Sequence, residues 1–254
     1  MAIDINCDMG ESFGVYKLGA DEEMLDLITS ANIACGFHAG DPMIMDRTTR
    51  TAVAKGVRVG AHPGYPDLLG FGRRAFGASP DEVERYVLYQ IGALHAIAKA
   101  NGTELQHVSP HGSLGNLCAA DITIARAVAN AVARFSKSLI LCAIAGSCTS
   151  QAGRELDLRV AELALLDRNY NDDGTLVPRS KPNAIIHDPE VVASRAVDVA
   201  RDGHVKSLGG KPIKMTAHTI TLHGDNAEAV QNAVLVVSAL KNAGVRLAPM
   251  SEIV

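Results

Sequence analysis

The sequence predicts an α/β protein, a single TIM-like (β/α) barrel of seven or eight parallel strands that takes in residues 1–254 as one domain. Three observations predict it. Short β-branched runs alternate with helix-patterned runs almost without interruption, as parallel strands joined by crossover helices require. Seven or eight such units fit a chain of 254 residues as a closed barrel better than as an open doubly wound sheet. Several of the strands run straight into His or Asp, and a parallel barrel collects all such ends on one face.

In chain order, the strand runs are residues 3–7, 32–35, 57–61, 105–109, 139–143, 184–186, 219–222 and 245–247. In the first, Asp4, Asn6 and Asp8 alternate with Ile3, Ile5 and Cys7, so the polar set shares one face of an extended chain. Asp41-Pro42 starts a helix after the second strand, an N-cap followed by a proline at the first helical position. The clearest helix opens on the capping box Ser79-Pro80-Asp81-Glu82. It carries Val83, Tyr86, Val87, Gln90, Ile91, Leu94 and Ile97 at three-to-four spacing and stops at Asn101-Gly102. Asp188-Pro189 repeats the start signal, and Asp225-Asn226-Ala227-Glu228 opens a last long helix with the stripe Val230, Val234, Val237 and Leu240. Between 205 and 217 the rhythm breaks, and Gly209-Gly210 between two β-prone runs predicts a hairpin insertion. No Gly-rich linker or shift of composition divides the chain.

Composition removes several function classes. Lys and Arg total 24 against 28 Asp and Glu, a net charge of −4 that supplies no basic field for nucleic acid. Aromatic residues are 4% with no Trp, too few for base- or sugar-stacking platforms. No run approaches the ~18 apolar residues of a membrane span, the longest being 139–145. The first residues lack the basic start and apolar stretch of a secretory signal. Five cysteines, an odd number without Cys-x-x-Cys, suit reduced thiols. A cytoplasmic protein with no nucleic-acid or membrane partner is expected.

The chemistry is expected where strands end, at Asp8, His38, His62, His111, and His223 with Asp225. A buried polar set of this size is costly unless its members meet each other, a ligand or a metal. Gly-rich turns at 36–42, 60–67 and 70–74 accompany these ends, and Arg73 or Arg74 is suited to fork onto a carboxylate or phosphate. Asp167, Arg168, Tyr170 and Arg179 form a second polar cluster in a Gly/Asp-rich stretch. A phosphate-binding loop is absent: Gly209-Gly210-Lys211-Pro212 fails on spacing and on the residue after Lys. No Gly-x-Gly-x-x-Gly, His-Glu-x-x-His or Gly-x-Ser-x-Gly occurs either. A divalent metal stays open, with Asp8, His38, His62 and His111 as its ligands. Without one, the same groups serve as acids and bases.

The segments Asp4-x-Asn6-x-Asp8-x-Gly10-Glu11, residues 30–41 with Ala31-Asn32-Ile33-Ala34-Cys35-Gly36-Phe37-His38-Ala39-Gly40-Asp41, Gly60-Ala61-His62-Pro63 and Phe71-Gly72-Arg73 resemble the LamB/YcsF family. The likeness continues through 107–112, 167–170, 176–180 and 222–225 and covers essentially the whole chain. The resemblance implies a barrel related to the glycoside hydrolase/deacetylase barrels. It also implies ATP-dependent 5-oxoprolinase activity, the opening of 5-oxo-L-proline (pyroglutamate), a small lactam, to L-glutamate. It further implies partner subunits B and C, through which ATP enters the reaction. On this reading Asp8 or His38 acts as base and His62 or His111 as acid. Asn6, Glu11, Asp41, Arg73, Asn116, Arg168, Arg179, His223 and Asp225 are then expected to hold substrate. The chain departs from the family's usual residues at Ser109, where Lys is common, at Gly115, where Tyr is, and at Leu163-Ala164-Leu165-Leu166. Those changes leave room for a different cyclic amide or a paralogue with altered or lost catalysis that only binds a lactam, and a metal-dependent deacetylase or amidohydrolase without ATP is the alternative enzyme reading.

Overall fold

Alternating side chains sort the first strand's two faces: Ile3, Ile5, Cys7 and Met9 pack outward under the helices, while Asp4 and Asn6 are buried inward. The structure, a computed structural model, describes residues 1–178, 181–222 and 227–254. Its strands are β1 (Ala2–Met9), β2 (Ser30–Ala34), β3 (Arg58–His62), β4 (His107–Val108), β5 (Ile140–Ile144), β6 (Arg159–Ala164), β7 (His204–Lys206), β8 (Pro212–Lys214), β9 (Thr219–Leu222) and β10 (Arg246–Leu247). β1 to β6 and then β9 are joined side by side in parallel, and β9 pairs back onto β1, which closes a seven-stranded barrel. β10 lies outside the ring, pairing with Ala2 and Ile3 below the point where β9 meets β1.

Around the barrel run α1 (Asp21–Met24), α2 (Pro42–Ala54), α3 (Pro80–Ala100), α4 (Gly112–Ala120), α5 (Ile122–Phe135), α6 (Cys148–Glu155), α7 (Pro189–Val197) and α8 (Ala227–Asn242). The predicted start signals of three of them act as such. Asp41 accepts hydrogen bonds from the backbone of Met43 and Ile44, Asp188 from Glu190, and Ser79 and Glu82 form the reciprocal capping box of α3. The expected opening of α8 at Asp225-Asn226 lies outside the described residues. The expected hairpin is β7–β8, antiparallel with His204 opposite Lys214.

Three expectations are corrected. Residues 184–186 are not a barrel strand: Ile185 makes one isolated bridge to Arg168 within the long connection after β6. The strand that fills that place is β6, whose pattern is masked by a buried Glu162. Glu162 accepts from Gly146 N, Ser150 Oγ and Arg154, so its charge is met inside the fold. The buried stripe of α8 is Ala233, Val236, Val237 and Leu240, and Val234 faces out.

The barrel interior divides into two halves. Ile140, Cys142, Ala161 and Leu163 of β5 and β6, with Met250 beneath, form an apolar half. The strands from β9 round to β4 supply a polar half of Asp4, Asn6, Ser30, Asn32, His107 and Thr219. That half is stable because its members satisfy one another. Asn6 donates to Thr219 Oγ1 at 2.6 Å and accepts from Asn32 at 2.7 Å and Thr221 at 2.9 Å. Asp4 accepts from Thr29, Ser30 and Thr219, yet burial outweighs these bonds and pushes its carboxyl up to about 6. No helix among the described residues is long and apolar enough to cross a membrane.

Candidate active site

Of the strand ends expected to carry chemistry, those of Asp8, His38, His62 and His111 come together. Asp8 stands one residue before the end of β1, His62 ends β3, and His38 and His111 follow β2 and β4 in the next turns. His62 Nε2 lies 3.3 Å from Asp8 Oδ1 and 3.0 Å from His111 Nδ1. The His38 and His111 rings stack with centroids 3.6 Å apart and planes within 6°. Glu11 enters from the turn after β1, its Oε1 3.2 Å from His38 Nε2 and 3.6 Å from His111 Nδ1. The hydrogen bond from Gly40 N to Ser12 O ties the Glu11 turn to the His38 turn.

Close backbone approach explains the Gly-rich turns, though its object is the histidine pair. Gly72 has φ +60°, and a Cβ there would fall 2.7 Å from His38 Cβ and 2.9 Å from His111 Cδ2. The backbone also fixes the rings. Carbonyl oxygens only accept, so His62 Nδ1 donates to Ser109 O at 2.6 Å and His111 Nε2 donates to Phe71 O at 2.8 Å. Beneath them, His107 Nε2 donates to Asn32 Oδ1 at 2.7 Å, and Asn32 donates on to Asp8 Oδ1 at 2.9 Å.

Charge follows from this packing. Burial alone would raise the Asp8 carboxyl, but the charge and hydrogen bond of His62 hold it well below the usual carboxylate range. Burial opposes a charged His62 ring, and Asp8 and Glu11 together still lift its pKa. Glu11 is pushed up to about 8, by burial first and by the Asp8 charge second. Burial, then His62, brings His111 down to about 4, and burial, His111 and His62 put His38 well below its ordinary value.

Asp8, His62 and His111 form one wall of a cavity of about 590 Å³ at the mouth of the barrel. Arg73 stands at its rim with its guanidinium 5.0 Å over the Phe71 ring. Ile144, Leu163 and Leu165 add apolar side chains to the lining, beside Asp167 and Arg168. The departures at Ser109 and Gly115 line the same cavity, and a Cβ on Gly115 would lie 2.6 Å from Pro110 O, so this backbone has no room for a side chain there.

Of the residues expected to hold substrate, Arg73, Asn116 and Arg168 line the cavity. Arg168 also donates to Val177 O at 2.7 Å, which anchors the loop behind it. Asn6 is committed inside the barrel, and Asp41 caps α2 and accepts from Gly14 N at 2.8 Å, so neither is placed for substrate. Arg179, His223 and Asp225 lie outside the described residues. Sequence reasoning missed Thr149, Thr221 and Asn232 in the cavity wall, which no motif or strand-end pattern marks. The cluster of candidate metal donors is Glu11, His38, His62 and His111, whose ligand atoms all lie within 4.8 Å of one another. Asp8, expected in that set, stands beside it on His62.

The sequence profile of the LamB/YcsF family matches residues 3–254. The chain is 51% identical over 254 residues, 100% of both sequences, to the 5-oxoprolinase A subunit of Thermococcus onnurineus (strain NA1). The crystal structure of a lactam utilization protein from Thermus thermophilus superposes with a TM-score of 0.94 at 44% identity, covering 98% of this chain and 99% of that one. A T48 deacetylase solved with substrate shares the barrel fold at 14% identity, with a TM-score of 0.51 over 99% of this chain and 89% of that one.

Proposed function

Because the chain belongs to the LamB/YcsF family, we propose that it is the A subunit of an ATP-dependent 5-oxoprolinase. In this reading it opens the ring of 5-oxo-L-proline to L-glutamate together with subunits B and C. The observation that carries the proposal is the Asp8–His62 pair in a cavity that is also lined by Ile144, Leu163 and Leu165 and by Arg73. A five-membered lactam has an apolar ring edge, one amide and one carboxylate, and a cavity of about 590 Å³ is of small-molecule size.

Asp8 Oδ1 meets Asn32 and His62, and among the described residues no hydrogen bond or ion pair engages Oδ2, the oxygen placed for the reacting groups in this reading. Asp8 then takes a proton from the attacking water and passes it to the ring nitrogen as the carbon–nitrogen bond breaks. The positive charge shared by His62 and His111 faces the oxygen that becomes negative, and Arg73 at the rim takes the substrate carboxylate. ATP acts through the partner subunits: transfer of its terminal phosphoryl group to the amide oxygen, with release of ADP, makes the carbon a better electrophile, and the acyl phosphate left when the ring opens is hydrolysed to glutamate and inorganic phosphate. The reaction belongs in the cytoplasm, where thiols such as Cys118 and Cys142 in the cavity wall stay reduced.

The test is glutamate release from 5-oxoproline by the chain with its B and C subunits, with and without ATP. ATP-dependent release is expected. A second reading, an amide hydrolase that uses a metal and needs no ATP, is favoured by the Glu11–His38–His62–His111 cluster, and release by the chain alone without ATP would select it. Binding of 5-oxoproline without turnover in either assay would mark a lactam-binding paralogue and refute the enzymatic proposal.

A further inference from the structure

We infer that Glu11, His38, His62 and His111 form a site for one divalent cation of the zinc class, with His62 Nε2 and His111 Nδ1 as its central ligands. Two ring protons set the geometry. His62 must carry its proton on Nδ1 to donate to Ser109 O, and His111 must carry its own on Nε2 to donate to Phe71 O. In the neutral rings, the nitrogens left over are both lone pairs, and they face each other at 3.0 Å. Two acceptors at that separation repel unless a shared proton or a bound cation stands between them. A divalent cation does so and turns the clash into two bonds.

The surroundings fit an ion. A histidine ligand commonly donates its second ring nitrogen to a carbonyl or carboxylate, which fixes the tautomer and aims the free nitrogen. Ser109 O and Phe71 O do this for both rings. Donors about 2.1 Å from a tetrahedral zinc stand roughly 3.4 Å from one another. Three of the six separations are near that value, 3.0 Å between His62 and His111, 3.2 Å between His38 and Glu11, and 3.6 Å between His111 and Glu11, and all six are within 4.8 Å, so the remaining donors close in on a bound ion. Three imidazole nitrogens and one carboxylate oxygen are a donor set that favours zinc over calcium or magnesium. His38 is the least fixed of the four, since its Nδ1 is buried without a partner among the described residues.

His62 and His111 belong both to the cluster and to the cavity wall, so the ion borders the cavity. Held by these residues, a cation would supply Lewis-acid polarisation of an amide carbonyl. It takes over the charge otherwise held by a proton on the two rings, while Asp8 keeps its place as the proton carrier.

The site is tested on the full chain alone, without substrate or ATP, so that failure of the oxoprolinase assay leaves the result readable. The protein is stripped with a chelator, and Zn²⁺ binding is followed by calorimetric titration and by elemental analysis after gel filtration. About one Zn²⁺ per chain is expected. His111→Ala should abolish binding. Glu11→Gln, which alters a turn residue and keeps its shape, should weaken it at least ~10-fold even if the histidine variant does not fold. His95→Ala, which removes a histidine paired with Glu104 on the surface of α3, should bind as the unaltered protein does. The inference is overturned if the stripped protein takes up no stoichiometric zinc. It is equally overturned if the Glu11→Gln protein, folded by circular dichroism, binds as tightly as the original.

Discussion

Asp8 and Glu11 lie on one short stretch of chain, and their surroundings hold them in opposite protonation states. His62 keeps Asp8 ionised, while burial and the Asp8 charge push Glu11 up to about 8. The proton-carrying role of Asp8 predicts that Asp8→Asn lowers glutamate release by the assembled enzyme ~10²–10⁴-fold with little change in melting temperature. Near-normal turnover would remove Asp8 from the mechanism. Two glycines make a second prediction with opposite signs. A Cβ on Gly60 would fall 2.3 Å from the His107 ring, which is buried and pinned by Asn32, so Gly60→Ala should destabilise by about 1–3 kcal/mol. Gly92 in α3 meets nothing within 4 Å, so Gly92→Ala should stabilise by about 0.5–1 kcal/mol through helix propensity. Urea midpoints of the two variants shifting in the same direction would contradict this. At this scale the sequence marked Asp8, His38, His62 and His111 by their position after strands. It assigned Asn6 and Asp41 to substrate, whereas their side chains bind the barrel interior and the start of α2, because a polar residue that binds its own fold looks the same in sequence as one that binds a ligand.

Helices were legible where their signals are local. Ser79 Oγ accepts from Glu82 N at 3.3 Å, and Glu82 accepts from Ser79 N at 2.8 Å, so the box read from four residues is the box that forms. Ser79→Ala should therefore cost about 1 kcal/mol, measured as a lowered urea midpoint with unchanged activity. Strands were less legible. A run of three apolar residues at 184–186 reads as β by composition, but pairing decides, and the ladder position beside β5 belongs to β6. Glu162 hid β6 because a buried carboxylate with three donors looks like a surface residue in sequence. The connection after β6 is held by Arg195, which donates from α7 to Arg168 O at 2.6 Å, Asn169 Oδ1 at 3.0 Å and Lys206 O at 3.3 Å. Arg195→Met removes these bonds, and residues 167–170 and 204–207 should then exchange amide hydrogens faster while the protection of β1 to β5 stays the same.

Over the whole molecule, the barrel's polar interior links stability to pH. The Asp4 carboxyl is raised from 3.8 to about 6 by burial, so between those values the folded chain binds more protons than the unfolded one. Its contribution is therefore fully present below about 3.8 and is lost as pH rises through about 6, a change of roughly 3 kcal/mol. Denaturation at a series of pH values should show this fall in the unaltered protein and a flatter profile in Asp4→Asn; equal slopes would exclude Asp4 as its source. The amino-acid order by itself determined the parallel α/β architecture, the start of its capped helices and the set of residues that end its strands, because periodicity, caps and strand ends are properties of neighbouring residues. Only the tertiary structure decided that seven strands close with β10 left outside, that Glu11 joins the histidines, and which ring nitrogens face one another. These depend on register, on side chains from separate turns and on backbone carbonyls brought from other strands, and contacts across 27 to 47 residues leave no pattern in a local stretch of chain.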